Sequence, residues 1–288
     1  MLSGVLRKTR EVGLRKSAYH YAKHVGLRMS PNYRQDTARF KRMSWPAFLG
    51  FLLFDCVRKT LDDIVCFIDN AFVGRKEIAR QDLDEYVIRL LRSDLMNENS
   101  VVYAFGISRH IETEEEMAKR IGCTLHLFDP TPPAIEFMQK HTPNPKLVFE
   151  PIGVWTKTEI LKFHWDRHRL RRNLSVINYY NVSEFIEAPC YTLTDIMKRK
   201  GHTHIDVLKM DIEGAALPVL LDMLKNTSIR PRQIVGALER PQFAYGASLM
   251  EVVRVLVAKA KLFSALEKAE YRTVTHDVAE FTAIRSMP

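Results

Sequence analysis

The chain has 288 residues, of which 46% are hydrophobic and 27% are charged, and this composition predicts a globular protein with one large domain and an appendage. No apolar run approaches the about 20 residues that a membrane-spanning helix needs, and no apolar signal segment follows the basic start, so a cytoplasmic protein is expected. The formal net charge of +9 lies within residues 1–42, which hold eleven lysines and arginines against two acidic residues. The other residues are balanced and show no module that combines basic and aromatic residues, so nucleic-acid binding is not expected.

Residues 1–42 form a basic arm whose scattered leucine, valine and tyrosine residues fit an amphipathic helix. Three interpretations stay open: a helix that packs on the body of the protein, a helix that lies peripherally on an anionic membrane, and a contact with another polyanion. An arginine-rich start that is poor in acidic residues is also typical of a mitochondrial transit peptide. Anionic lipid is therefore one expected partner of this arm.

Residues 43–100 are predicted to form a helical cap. In the segment "LDEYVIRLL", apolar residues recur at intervals of three and four, as on one face of a helix: Leu83, Tyr86, Val87, Leu90 and Leu91. A similar stripe consists of Val57, Leu61, Ile64, Val65 and Ile68.

Residues 101–288 alternate strands with helices. The strand "VVYAFG" precedes a helix in which Thr113 and Glu116 fit a capping box, and "TLHLFD" precedes a helix opened by Pro132. The strand "KLVFEPIG" is followed by an irregular stretch, then "HIDVLKMD", a helix from Gly214, the strand "QIVGALE" and a long helix with Ser248 as its cap. The segments "EYRTVTH" and "EFTAIR" read as two closing strands. This alternation predicts a mainly parallel sheet that is covered on both faces and has an antiparallel edge.

The residues that end these strands define the predicted site, because ligands of open α/β sheets bind beyond the carboxyl ends of the strands. They are Gly106 to His110, Asp129, Ile152, Gly153, Asp211 to Gly214, Glu239 and Arg240. Asp129 lies 23 residues after Gly106, close to the spacing at which an acid binds a ribose hydroxyl.

The first loop distinguishes two ribose-containing ligands. It contains a single glycine, and the helix after it begins with four glutamates: Glu112, Glu114, Glu115 and Glu116. A dinucleotide would place its pyrophosphate there, and glutamates would repel it. S-adenosylmethionine has no phosphate and carries two cationic groups, so the loop favours the methyl donor. We expect the glutamates themselves to form a capped, solvated first turn.

The segments "VVYAFGIS", "LHLFDPTP" and "LKMDIEGA", together with the strand-ending Glu239, resemble FkbM-type methyltransferases over residues 101–240. The resemblance implies a Rossmann-like class I methyltransferase fold over residues 101–288, with a mainly parallel seven-stranded sheet and an antiparallel last strand. It also implies S-adenosylmethionine-dependent O-methylation of a hydroxyl on a sugar, glycolipid or secondary metabolite. The alternatives are an NAD-dependent oxidoreductase and a non-catalytic, membrane-associated relative that keeps the fold.

The resemblance also implies residue roles for the cofactor. Phe105, Gly106 and Ser108 would line its methionine part, and Asp129 would hold the ribose. The remaining cofactor contacts would come from Ile152 and Gly153 beside the adenine and from Asp211 beside the transferred methyl group. Three positions depart from the family, which commonly has glycine, an acid and histidine where this chain has Ser108, Ala216 and Arg240.

Methyl transfer to a hydroxyl requires positioning and a group that accepts the proton. We expect Asp211 to be the orienting or basic group, Glu213 and Glu239 to shape the acceptor site, and His110 to be a secondary candidate base. The expected substrate-binding residues are His164, His168 and Arg240.

No metal site is predicted, although a divalent cation held by the carboxylates stays an alternative. The spacing of His202, His204 and Asp206 fits a metal-binding pattern, but these residues precede their strand and so belong to the edge of the sheet away from the catalytic site.

Overall fold

The computed structural model describes residues 57, 60–65, 84–86, 89–141, 144–165, 174–178, 182–239, 247–275 and 280–285. The basic arm, His168 and Arg240 lie outside these ranges. The described residues belong to two compact units: residues 57, 60–65 and 247–249 to one, and the rest to the other. Residues 60–65 are helical, which confirms the second apolar stripe as a helix where it is described. Among the described residues, no helix is long and apolar enough to cross a membrane.

The described strands are β1 (Asp84–Tyr86), β2 (Arg89–Leu91), β3 (Val102–Phe105), β4 (Leu125–Phe128), β5 (Leu147–Glu150), β6 (Gly153–Val154), β7 (Glu159–Trp165), β8 (Leu174–Ser175), β9 (Phe185–Tyr191), β10 (Val207–Met210), β11 (Gln233–Ala237), β12 (Tyr271–Thr275) and β13 (Glu280–Arg285). Besides residues 60–65, the described α-helices are α1 (Glu112–Ile121), α2 (Pro132–Lys140), α3 (Leu193–Lys200), α4 (Ala216–Asn226) and α5 (Leu249–Lys268). A 3-10 turn spans Ser93–Leu95.

The large sheet has seven strands in the order β12-β13-β11-β10-β3-β4-β5. The strands β11, β10, β3, β4 and β5 pair in parallel, whereas β13 is antiparallel to both β11 and β12. The mainly parallel seven-stranded sheet with an antiparallel last strand is thereby confirmed.

Both faces of the sheet are covered, because successive side chains of a strand point to opposite faces. One apolar cluster joins Val102 and Ala104 of β3 to α1 and α2. The other joins Tyr103 and Phe105 of β3 to α3, α4 and α5. The central strands are therefore buried on both sides, as the near-continuous apolar runs in the sequence predict.

The predicted helix over "LDEYVIRLL" is wrong, because the described residues form an antiparallel hairpin in which Asp84 pairs with Leu91. A contact from a distant strand fixes this conformation. The side chain of Gln233 on β11 accepts a hydrogen bond from the Arg92 backbone nitrogen (2.8 Å) and donates one to its oxygen (2.9 Å). Leu91 is fully buried in the cluster under α1 and α2. This tertiary pairing overrides a helical period of only a few residues.

The stretch expected to be irregular contains a second sheet, with four strands in the order β6-β9-β7-β8. The strand β7 is antiparallel to both β8 and β9. Its apolar signal is weak because Phe163 is its one buried residue. A strand that is mostly exposed and rich in charged and polar residues gives little periodicity, which explains why the sequence pattern misses this sheet.

Candidate active site

The first loop contains a single glycine because the end of β10 touches it. Gly106 has a φ of +79°, and a β-carbon there would lie 1.9 Å from the backbone oxygen of Asp211. The Asp211 nitrogen donates to the Phe105 oxygen at 3.0 Å, and the Gly106 nitrogen donates to the Phe128 oxygen at 3.0 Å. The glycine therefore lets the loop pass between β10 and β4.

Asp129 holds this loop from the neighbouring strand end. Its Oδ2 accepts from the Ser108 nitrogen at 2.8 Å, while its Oδ1 accepts from the nitrogen (2.9 Å) and hydroxyl (2.6 Å) of Thr131. Burial raises the pKa of Asp129, and these hydrogen bonds oppose the rise. Ser108 itself has a left-handed backbone, with a φ of +49°, a conformation that glycine adopts more readily. A carboxylate has about four lone-pair sites, so Asp129 keeps acceptor capacity for a ligand hydroxyl.

A cavity of about 520 Å³ opens beyond these strand ends, within the usual size range of small-molecule sites. It brings together the following predicted residues: Phe105, Gly106, Ser108, His110, Asp129, Gly153, Asp211 and Glu213. Ile152 is not among the lining residues and is buried in the apolar cluster under α3, α4 and α5.

Three carboxylates surround the turn after β10. Asp211 and Glu213 line the cavity, and Glu213 has a φ of +50°. The Ser175 hydroxyl donates to the Glu213 backbone oxygen at 2.6 Å. Glu239, which was predicted to shape the acceptor site, is not among the residues that line the cavity, and its Oε2 accepts from the Gly214 nitrogen at 2.7 Å. Burial, followed by the charges of Glu213 and Asp211, raises the pKa of Glu239 to about 7. Glu239 therefore fixes the turn that carries the two lining acids.

The predicted histidines lie in different places. His110 is at the edge of the cavity, where its side chain is 75% exposed and its Nδ1 lies 3.6 Å from Oε1 of Glu112. His164 does not line the cavity. Its Nδ1 lies 3.1 Å from the Val182 oxygen and 3.2 Å from Nδ2 of Asn178. The substrate roles of His168 and Arg240 stay predictions, because both lie outside the described residues.

The histidines of the "HTH" segment lie at the opposite end of the strands, as predicted. The Tyr103 hydroxyl lies 2.8 Å from Nδ1 of His202, and Nε2 of His204 lies 3.4 Å from Oδ2 of Asp206, directly before β10. Within the described ranges, no three histidine, cysteine or acidic residues are grouped as a metal site.

The predicted capping box at the start of α1 is wrong. The helix begins at Glu112 with Ile111 as its cap residue and without a side-chain cap. Thr113 is buried, and its hydroxyl has no hydrogen-bond partner within the described part of the chain. Because the cap residue is Ile111 and not Thr113, the helix starts two residues earlier than the pattern requires, and the Thr113 side chain is buried within it.

The expectation of a solvated glutamate turn is wrong for Glu114, which is 1% exposed. Its Oε1 lies 2.6 Å from Nζ of Lys209, a buried lysine on β10 that also lines the cavity. Glu115 is 3.0 Å from Nε2 of His141, and Glu116 pairs with Arg120. Lys209 and Arg120 thus compensate part of the negative charge, so repulsion of a phosphate is weaker than the sequence indicates. Lys209 is a site residue that was not predicted, although a lysine within an apolar central strand is a visible signal in the sequence.

Comparison with known proteins decides the family. The model of the methyltransferase FkbM domain matches residues 98–272, which include the cavity and five of the seven strands of the large sheet completely. The chain belongs to the FkbM methyltransferase family. A comparison with the curated proteins finds no match.

Two solved structures are distantly similar to the FkbM methyltransferase chain. One is a fibrillarin pre-rRNA processing protein of Methanococcus jannaschii, at 9% identity over 67% of this chain and 69% of that one, with a TM-score of 0.37. The other is human N-acetylserotonin methyltransferase in complex with S-adenosylmethionine, at 10% identity over 96% of this chain and 66% of that one, with a TM-score of 0.32. The fold assignment depends on the strand order of the large sheet and not on these weak similarities.

The FkbM family uses S-adenosylmethionine, and the residues of the cavity fit this cofactor. Gly106 lets the loop pack closely on the Asp211 backbone. Asp129 lines the cavity, and its three hydrogen bonds leave about one lone-pair site for a ribose hydroxyl. By the predicted roles, Phe105 and Gly106 would contact the methionine part and Gly153 the adenine. When bound, the cofactor supplies an electrophilic methyl group on a sulfonium.

Proposed function

We propose that this FkbM methyltransferase methylates a hydroxyl of a sugar, glycolipid or related small metabolite. The observation that carries the proposal is the group of carboxylates at the end of β10, where Asp211 and Glu213 line the cavity beside the first loop. A hydroxyl becomes nucleophilic as it loses its proton, and a carboxylate within hydrogen-bond reach can take that proton. The acceptor class itself comes from the family resemblance.

In this proposal, Asp211 orients the acceptor hydroxyl and receives its proton. The hydroxyl oxygen would bond to the methyl group as the bond between that group and the donor sulfur breaks, which leaves a neutral thioether. In-line methyl transfer depends mostly on how the two reacting atoms are positioned. Glu239 contributes to this positioning, because its hydrogen bond to the Gly214 nitrogen fixes the turn that carries Glu213. Glu213 would contact the acceptor from the other side of this turn.

The test is transfer of an isotopically labelled methyl group from S-adenosylmethionine to glycan and lipid extracts, by the wild-type chain and by Asp211→Asn. We expect a labelled product with the wild type and about 10²- to 10⁴-fold slower labelling with Asp211→Asn, the usual contribution of a general base. The donor dissociation constant of the variant should change less than the rate.

Two results would contradict the proposal. Equal labelling rates for the wild type and Asp211→Asn would remove Asp211 from proton transfer. Donor binding without labelling of any hydroxylated acceptor would instead favour the non-catalytic relative that keeps the fold.

A further inference from the structure

Helix α5 carries an exposed apolar stripe. Met250, Val253 and Val257 are 60%, 44% and 47% exposed, and their spacing of three and four residues puts them on one face of the helix. The opposite face packs on the large sheet through Leu262 and Leu266. The helix is therefore apolar on the side that it buries and also on part of the side that it exposes.

A row of cations flanks this stripe. Arg254, Lys261 and Lys268 follow one another at intervals of seven residues, which is about two helical turns, and all three are exposed. Lys225, at the end of α4, lines the same groove of about 1010 Å³ as Lys261 and Lys268. None of the four cations has a hydrogen bond or ion pair with the described part of the chain.

The groove is lined by five basic residues and by two acids, Asp222 and Glu270, so its acids do not balance its cations. Asp222 accepts a hydrogen bond from Nδ2 of Asn226 at 2.6 Å. Oε2 of Glu270 lies 3.6 Å from the guanidinium of Arg285. Among the described residues, the groove therefore presents an excess of positive charge beside the exposed apolar side chains of α5.

We propose that this face, defined by the apolar stripe and the four cations, docks on an anionic lipid bilayer. A bilayer offers both complements at once, because its acyl boundary accepts apolar side chains while its headgroups attract lysine and arginine. A second copy of the chain fits less well, since a symmetric interface brings the same cations close together. A nucleic acid would match the charge and leave the apolar stripe in water. This contact is separate from the one predicted for residues 1–42, and it does not depend on the proposed methylation.

The first experiment measures partitioning of the full chain into phosphatidylcholine vesicles with and without phosphatidylserine. We expect the triple variant Lys225→Gln, Lys261→Gln, Lys268→Gln to bind anionic vesicles about 100-fold more weakly than the wild type. Each lysine near an anionic membrane surface contributes about fivefold to binding. The matched control removes the same charge from exposed lysines elsewhere, through Lys119→Gln, Lys157→Gln and Lys198→Gln. This control should lose far less binding.

The second experiment tests insertion of the apolar stripe. In Val253→Trp, the added tryptophan should be quenched by lipids with brominated acyl chains when phosphatidylserine is present. The control is Ile160→Trp. Ile160 lies on β7, is 70% exposed and lies outside the proposed face. The fluorescence of this tryptophan should not be quenched.

Several results would overturn the proposal. One is equal vesicle binding by the two triple variants, and another is equal quenching of the two tryptophans. Sedimentation could show that the wild type is a dimer and that Val253→Asp is a monomer that still binds vesicles. That result would assign the stripe to a contact with a second copy of the chain. The lysine substitutions could also weaken the binding of single-stranded DNA and leave vesicle binding unchanged. That result would assign the cations to a nucleic acid.

Discussion

The single glycine of the first loop is required by a contact and not only by its conformation. Gly106 and Gly201 both have left-handed backbones, with φ of +79° and +69°, but a β-carbon at Gly106 would collide with the Asp211 oxygen, whereas at Gly201 it would meet nothing within 4 Å. We expect Gly201→Ala to lower the free energy of unfolding by about 1 kcal/mol through backbone strain alone. Gly106→Ala should lower it by roughly 3 kcal/mol or more, because overpacking adds to the strain.

Urea denaturation of the two glycine variants measures this difference. Similar losses in both variants would show that β10 moves away from the loop at little cost. The contact with the Asp211 oxygen would then not explain why residue 106 is a glycine.

Glu239 predicts a pH dependence of stability. Its pKa rises from an ordinary value of 4.5 to about 7 in the folded protein. Between these two values the folded state holds more protons than the unfolded state, so the free energy of unfolding falls as the pH rises through this range. Above about pH 7, the free energy of unfolding is therefore lower by roughly 3 kcal/mol than it is at acidic pH.

The variant Glu239→Gln keeps an oxygen for the Gly214 nitrogen and does not titrate. We therefore expect its free energy of unfolding to fall less than that of the wild type between about pH 5 and about pH 8. Denaturant titrations at both pH values check this, and parallel losses in the two proteins would contradict the raised pKa of Glu239.

Several residues of the site are predicted correctly from their positions directly after strands. The position of Asp129 after the second strand of the sheet and the positions of Asp211 and Glu213 after β10 predict that these acids meet at one edge, and they line one cavity. The sequence does not reveal that Ser108 and Thr131 already bind Asp129, because these hydrogen bonds depend on loop conformation.

The buried pair of Glu114 and Lys209 connects two elements, helix α1 and strand β10. In Lys209→Met, the Glu114 carboxylate would stay buried without its cation, which typically costs about 3–5 kcal/mol. The double variant Lys209→Met, Glu114→Gln should recover much of this loss, because the uncompensated charge is gone.

Thermal or urea unfolding of both variants tests this pair. The matched control is Lys140→Met, which breaks the exposed pair of Lys140 and Glu136 and should change stability little. A loss in Lys209→Met no larger than in this control would show that the buried pair does not tie α1 to β10.

The elements that sequence reasoning misjudged share one cause. The hairpin of β1 and β2 and the start of α1 are both set by contacts with distant residues, such as the bonds between Gln233 and Arg92 and the burial of Ile111. A short period of apolar residues cannot contain this information. Other patterns did predict their elements: the helix opened by Pro132 is present, and the segment "KLVFEPIG" contains β5, although this strand ends at Glu150 and Gly153 belongs to β6 of the second sheet.

At the scale of the whole molecule, the alternation of strands and helices predicts the large sheet and its two covered faces, because parallel strands need crossover connections. The four-stranded sheet of β6, β9, β7 and β8 was beyond sequence reasoning. Its core is small and contains Phe163, Leu174, Ala188 and Cys190 as buried residues, so most of its residues are partly or fully exposed and give no clear period.

The central claim is that the cavity beyond β3 and β4 holds S-adenosylmethionine with Asp129 at its ribose. Isothermal titration of the wild type, Asp129→Ala and the surface control Asp94→Ala with S-adenosylmethionine and with NAD tests it most directly. We predict that the wild type and Asp94→Ala bind S-adenosylmethionine and not NAD, and that Asp129→Ala binds the methyl donor at least about tenfold more weakly, a loss of about 1.4 kcal/mol. Unchanged affinity in a folded Asp129→Ala, or binding of NAD in place of the methyl donor, would contradict the claim.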